Sequence, residues 1–97
     1  MLFVIQCEDK PDSHDLRRDV RPTHLEWLEE RLEDLVLVGP AMDDEGRSIG
    51  SLLVVNKPDL EAARAFAAAD PYNKAGLFAR TSVRPFRTVY QDGKKVG

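Results

Sequence analysis

The chain has 97 residues, 42% hydrophobic and 32% charged, which is enough for one compact domain and too little for two cores. It lies away from the low-hydrophobicity, high-charge compositions that stay disordered. A net charge of -3 leaves no surplus of cations to displace counterions from a phosphate backbone, so nucleic acid is not an expected partner.

Cys7 is the only cysteine, which excludes an internal disulfide and suits a reducing compartment. Met1 runs into a strand-like segment without a basic n-region or cleavage site. The longest mostly apolar stretch, Leu35 to Met42, is broken by Gly39-Pro40 and falls far short of the ~20 residues a membrane helix needs. The expectation is a soluble, cytoplasmic protein with no membrane contact.

Taken in chain order, Leu2 to Cys7 is short, β-branched and aromatic, and the polar Glu8 to Pro11 closes it, as a strand running into a turn does. Asp12 or Ser13 supplies an N-cap and Asp15 an acidic first turn for a helix. Pro22 lacks an amide hydrogen, so the helix is predicted to kink or restart near Arg21, giving two pieces. After the restart Leu25, Leu28, Leu32 and Leu35 form a stripe predicted to face the core, with Glu26, Glu29, Glu30 and Glu33 elsewhere.

Val36 to Met42 reads as a second strand, Asp43 to Arg47 as a hairpin loop, and Ser48 to Asn56 as a third strand. The third strand's Leu52 to Val55 run is apolar on both faces, so both faces should be covered, and a second copy of the chain is the economical cover. Pro58-Asp59 opens an alanine-rich helix, Leu60 to Ala69. A turn over Asp70 to Gly76 precedes a last strand from Leu77 to Tyr90. The predicted organisation is one domain over residues 1–90 with a polar tail over 91–97. The order β, α, β, β, α, β is the ferredoxin-like α+β arrangement, with helices on one face of an antiparallel sheet.

Among residues able to carry chemistry, His24 lies at the border of the predicted buried stripe, near the start of the restarted helix. A neutral imidazole there suits a general base, and a packed or surface histidine with a satisfied hydrogen bond is the alternative. Asp70 continues the apolar face of Leu60, Ala63 and Ala67 into a helix C-terminus, where backbone carbonyls already concentrate negative charge. It either orients a histidine or serves as N-cap to a turn beginning at Pro71.

Cys7 reads as a small core residue, and His14 as an exposed first-turn residue. No Cys or His stands at ligand spacing and no glycine-rich phosphate loop is present, so neither a metal nor a nucleotide cofactor is expected. Arg17, Arg18 and Arg21 crowd the segment before Pro22, and Arg80 and Arg84 share one face of the last strand. Such arginines hold an anionic small substrate or pair with surface carboxylates.

The opening Met1 to Ile5, the segment Val20-Arg21-Pro22-Thr23-His24-Leu25, the Val38-Gly39-Pro40 turn, Ala67 to Tyr72 with Ala75-Gly76 after it, and Val83 to Phe86 together resemble the YciI-like (YCII-related) proteins over nearly the whole chain up to Tyr90. The resemblance implies a dimeric α+β barrel and a histidine-aspartate active site falling on His24 and Asp70. It also implies a fold similar to muconolactone isomerases and, where activity is assigned, cofactor-independent dehydrochlorination of a chlorinated hydroxyquinol.

The sequence reading is therefore a homodimeric, cofactor-free enzyme using His24 and Asp70 for elimination or isomerisation of a small aromatic or lactone-like substrate. Arg21, Pro40, Tyr72 and Arg84 are its candidate substrate contacts. A non-catalytic ligand-binding or accessory dimerisation domain is the alternative.

Overall fold

A computed structural model describes residues 1–97. Its elements are β1 (Leu2–Asp9), α1 (His14–Glu29), a 3-10 turn (Leu32–Asp34), β2 (Leu35–Met42), β3 (Ser48–Asn56), α2 (Leu60–Ala69), α3 (Pro71–Lys74) and β4 (Phe78–Phe86), followed by a small hairpin of β5 (Tyr90–Gln91) and β6 (Lys94–Lys95). The main sheet has the order β2-β3-β1-β4 and is antiparallel throughout. The helices cover one face, so the chain is a small α+β fold of the ferredoxin-like type.

Period-two alternation builds the core. On β1, Phe3, Ile5 and Cys7 point towards the helices, opposite Val55, Leu53 and Ser51 of β3. Leu28 of α1 and Ala63, Phe66 and Ala67 of α2 close over them. Phe3 and Val55 have no exposed surface, and full burial of such a side chain stabilises by about 1.5–3 kcal/mol. Alanines let α2 sit low on the sheet, and Asp59 starts it, its carboxylate accepting the Ala62 amide at 2.8 Å.

Four sequence expectations change. The first helix runs unbroken through Pro22 instead of restarting. The missing hydrogen bond and ring clash of a mid-helix proline cost about 3 kcal/mol, and the helix is held on both sides of it, by Arg17 before and His24 after, each buried against another element.

The predicted leucine stripe does not face the core as a unit. The helix ends at Glu29, so Leu32 falls in the 3-10 turn and Leu35 opens β2, while Leu25 and Leu32 are exposed and Leu28 alone is buried. The buried face of α1 is Arg17, His24 and Leu28, a stripe at helical spacing whose polar members hid it from a hydrophobicity reading.

His24 consequently lies in the body of the helix, away from its N-terminal dipole. The last strand stops at Phe86, and the segment read as a polar tail contributes a two-residue-per-strand hairpin turning at Asp92-Gly93, both with positive φ.

The opposite face of the sheet carries no helix. Cross-strand register places Leu2, Val4, Leu37, Leu52, Val54 and Phe86 there, with Gln6, Glu8, Arg80, Ser82 and Arg84 towards one end. No helix is long and apolar enough to cross a membrane.

Candidate active site

The end of one helix, the start of the next and one long helix bring the site together. α2 ends at Asp70, and Pro71 at the next position favours a new turn, since its fixed φ and missing amide hydrogen suit the first residue of a helix. The Asp70 Oδ1 accepts the backbone N–H of Tyr72 at 2.9 Å and caps α3. The same oxygen lies 2.8 Å from Nδ1 of His24, which α1 delivers from across the core. One oxygen atom thus makes both the contact with His24 and the cap of α3.

His24 is 5% exposed and Asp70 2%. An ionised carboxylate can only accept, so an ionised Asp70 would take this hydrogen bond from an Nδ1–H tautomer of the ring; His24 itself lines the cleft described below. Tyr72 stacks on the imidazole with ring centroids 4.0 Å apart and fixes its plane, while Trp27 lies behind at 6.4 Å.

A second buried polar cluster adjoins the first. Arg17, one face-repeat before His24 on α1, donates from Nε to Asp9 at 2.7 Å and from one terminal nitrogen to Asp9 at 2.9 Å and Ser51 at 2.8 Å. Its guanidinium carbon stands 4.6 Å from the centroid of the Tyr72 ring. Burial alone would lower the Arg17 pKa. The hydrogen bonds and charge of Asp9, with Tyr72 beside it, outweigh burial and hold the guanidinium above its ordinary range.

Burial raises the Tyr72 phenol, against the pull of the Arg17 and Arg21 guanidiniums. Every buried side-chain polar atom has a hydrogen-bond partner, the condition for a buried network to stabilise instead of penalise.

These clusters floor a cleft of about 520 Å³ between α1 and the β2-β3 hairpin. Of the sequence-predicted contacts, Arg21, Pro40 and Tyr72 line it together with His24, and Asp70 stands behind His24. Arg84 does not: its register partner on β1 is Val4, and residues paired across strands share a face, so Arg84 projects from the helix-free side.

His14 is exposed as expected, yet it lines the mouth of the same cleft. Arg47, placed by the hairpin loop, had no signal in the sequence. Ser51 and the Arg17–Asp9 pair were also missed. The only available signal was the seven-residue spacing of Arg17 from His24, which puts both on one helical face. Cys7 is buried and its thiol is pushed up to about 11, chiefly by burial, which suits packing and not nucleophilic attack. No three His, Cys, Asp or Glu side chains gather in a metal-ligating group.

Comparison with known proteins agrees with this architecture. Protein YciI of Escherichia coli O6:H1 is 42% identical over 98 residues, covering 93% of this chain and all of that protein, and the Shigella flexneri YciI matches equally. An uncharacterised protein of Haemophilus influenzae is 37% identical over the same shares.

Among solved structures, 5-chloro-2-hydroxyhydroquinone dehydrochlorinase (TftG) from Burkholderia phenoliruptrix AC1100, in complex with 2,5-dihydroxybenzoquinone, superposes with a TM-score of 0.83 at 33% identity, over 90% of this chain and 94% of that one. An antibiotic biosynthesis monooxygenase shares the fold at TM-score 0.54 and 18% identity, over 93% of this chain and all of that one. The YCII-related domain matches residues 1–87, and the chain belongs to that family.

Proposed function

We propose that this protein is a cofactor-independent acid-base enzyme in which the Nε2 of His24 takes a proton from a small aromatic or lactone-like substrate while Asp70 holds the ring and stabilises the imidazolium. The observation that carries the reading is the 2.8 Å Nδ1 to Oδ1 contact at the wall of the cleft. A base fixed by a carboxylate on its far nitrogen is the arrangement general-base catalysis uses. The similarity to TftG, a dehydrochlorinase, favours elimination: a proton leaves to His24 as chloride leaves the ring.

The test is chloride release from 5-chloro-2-hydroxyhydroquinone. Wild type is expected to turn it over, and His24→Ala to lower the rate by roughly 10²–10⁴-fold, the usual share of a general base. Full turnover in His24→Ala contradicts the mechanism. No turnover by wild type contradicts elimination of this substrate and favours a non-catalytic ligand-binding domain.

The same reading includes a homodimer. The helix-free face exposes Leu37 and Phe86 beside the half-buried Leu2, Val4 and Leu52, and an apolar sheet face of this kind is covered by a second layer. A particle of twice the chain mass at micromolar concentration in sedimentation equilibrium is expected; a monomer contradicts it.

A further inference from the structure

The cleft is lined by basic side chains and by no carboxylate. Four arginines and two histidines line it, with no aspartate or glutamate among the lining residues, in a chain whose net charge is -3. Three of the arginines already have carboxylate partners. Arg17 is paired with Asp9, Arg18 with Asp15 and Asp19, and Arg47 with Asp43 and Glu45. Arg21 has none.

It stands one turn before His24 on α1, close enough to Tyr72 for its charge to act on the phenol. Leu25, Leu28, Val38 and Pro40 line the same cleft, so the charge is presented beside an apolar wall.

We infer that the substrate is a small organic oxyanion, its charged group held by Arg21 and its apolar body laid against Leu28, Val38 and Pro40 within reach of His24. The inference rests on the proposed role of His24 and adds the chemical class of what it acts on. A guanidinium meets a planar carboxylate or ionised enol with two parallel hydrogen bonds, which sets both affinity and orientation. Arg18 and Arg47, each already engaged by two carboxylates, do not compete with Arg21 for the anion. An inorganic anion would satisfy Arg21 but leave the apolar wall wetted. The mixed lining therefore favours an organic acid over free phosphate.

The experiment is titration of the full chain with benzoate, its neutral isostere benzamide and inorganic phosphate, followed by the side-chain NMR signals of His24 and by calorimetry. Benzoate is expected to shift the His24 signals and to bind at least about tenfold more tightly than benzamide or phosphate, as a charge-assisted contact worth about 1.5–3 kcal/mol implies. Arg21→Gln should abolish that preference, and Arg64→Gln, which removes the same charge from the exposed face of α2, should leave it intact.

Benzoate binding no tighter than benzamide, including no binding of either, contradicts the inference. Equal binding of phosphate, or equal effects of the two variants, does so as well. Such failures leave His24 bonded through Nδ1 to Asp70, which the same spectra report, so they are separable from a failure of the catalytic reading itself.

Discussion

Two buried polar pairs tie α1 to the rest of the fold, and they differ in what a proton does to them. Arg17 and Asp9 meet through two hydrogen bonds, and Ser51 accepts a third from the same guanidinium. His24 and Asp70 meet through one, and an imidazole, unlike a guanidinium, is a side chain with both a neutral and a cationic form near neutral pH. The first pair is suited to hold position; in the proposed mechanism the second holds position and changes charge, and its His24 lines the cleft. Burial and pairing alone do not mark a catalytic residue; a group able to change charge beside an opening is a candidate for one.

The comparison breaks most visibly by removing one member of the permanent pair. Arg17→Met strands a carboxylate whose side chain is 7% exposed, and breaking a buried pair this way costs about 3–5 kcal/mol. The urea midpoint should fall accordingly with m unchanged. Pairing that substitution with Asp9→Leu should recover most of the loss, because an apolar pair of similar volume replaces the charges.

The conditional pair should respond more gently. Asp70→Ala removes both the cap of α3 and the partner of a buried N–H, an expected loss of about 2 kcal/mol from the two contributions. Asp70→Asn retains a carbonyl oxygen for the Tyr72 amide and should lose less in the same unfolding experiment.

The effect that is smallest at neutral pH concerns Cys7, whose thiol is raised chiefly by burial, with Asp70, Arg17 and Asp9 also in its field. Its thiol ionises at 9.0 ordinarily and at about 11 in the fold. The unfolded chain therefore releases this proton first, and the stability the thiol contributes is intact below 9.0 and lost as pH rises towards 11. Stability differences between wild type and Cys7→Ala should narrow by roughly 1 kcal/mol per pH unit across that window, and be flat below it.

Much of the fold was legible because local rules and tertiary packing agree. The alternation along Leu2 to Cys7, the Asp59 cap and the alanine face of α2, and the Gly46 hairpin each name their element without outside help. The first helix was misread where they disagree. Pro22 reads as a break, and only the long-range anchors of Arg17 and His24, invisible to any local window, explain why the helix continues.

The site was legible in part for the same reason. Asp70 stood out because a carboxylate at a helix end needs a partner, and that partner is 46 positions away. Nothing in the chain marks Asp9 as the partner of Arg17 or Arg47 as a wall of the cleft, since both depend on which loops the sheet register brings beside α1. Arg84 was read as a substrate contact without its register to β1, which carries it to the helix-free side of the sheet.

The central claim is that Asp70 fixes the proton of His24 on Nδ1 and turns Nε2 to the cleft. Side-chain ¹⁵N NMR of the neutral imidazole reads this directly. Wild type should show the Nδ1–H form alone, and Asp70→Asn should shift the population towards Nε2–H. A wild-type ring protonated on Nε2, or a population indifferent to Asp70→Asn, would contradict it.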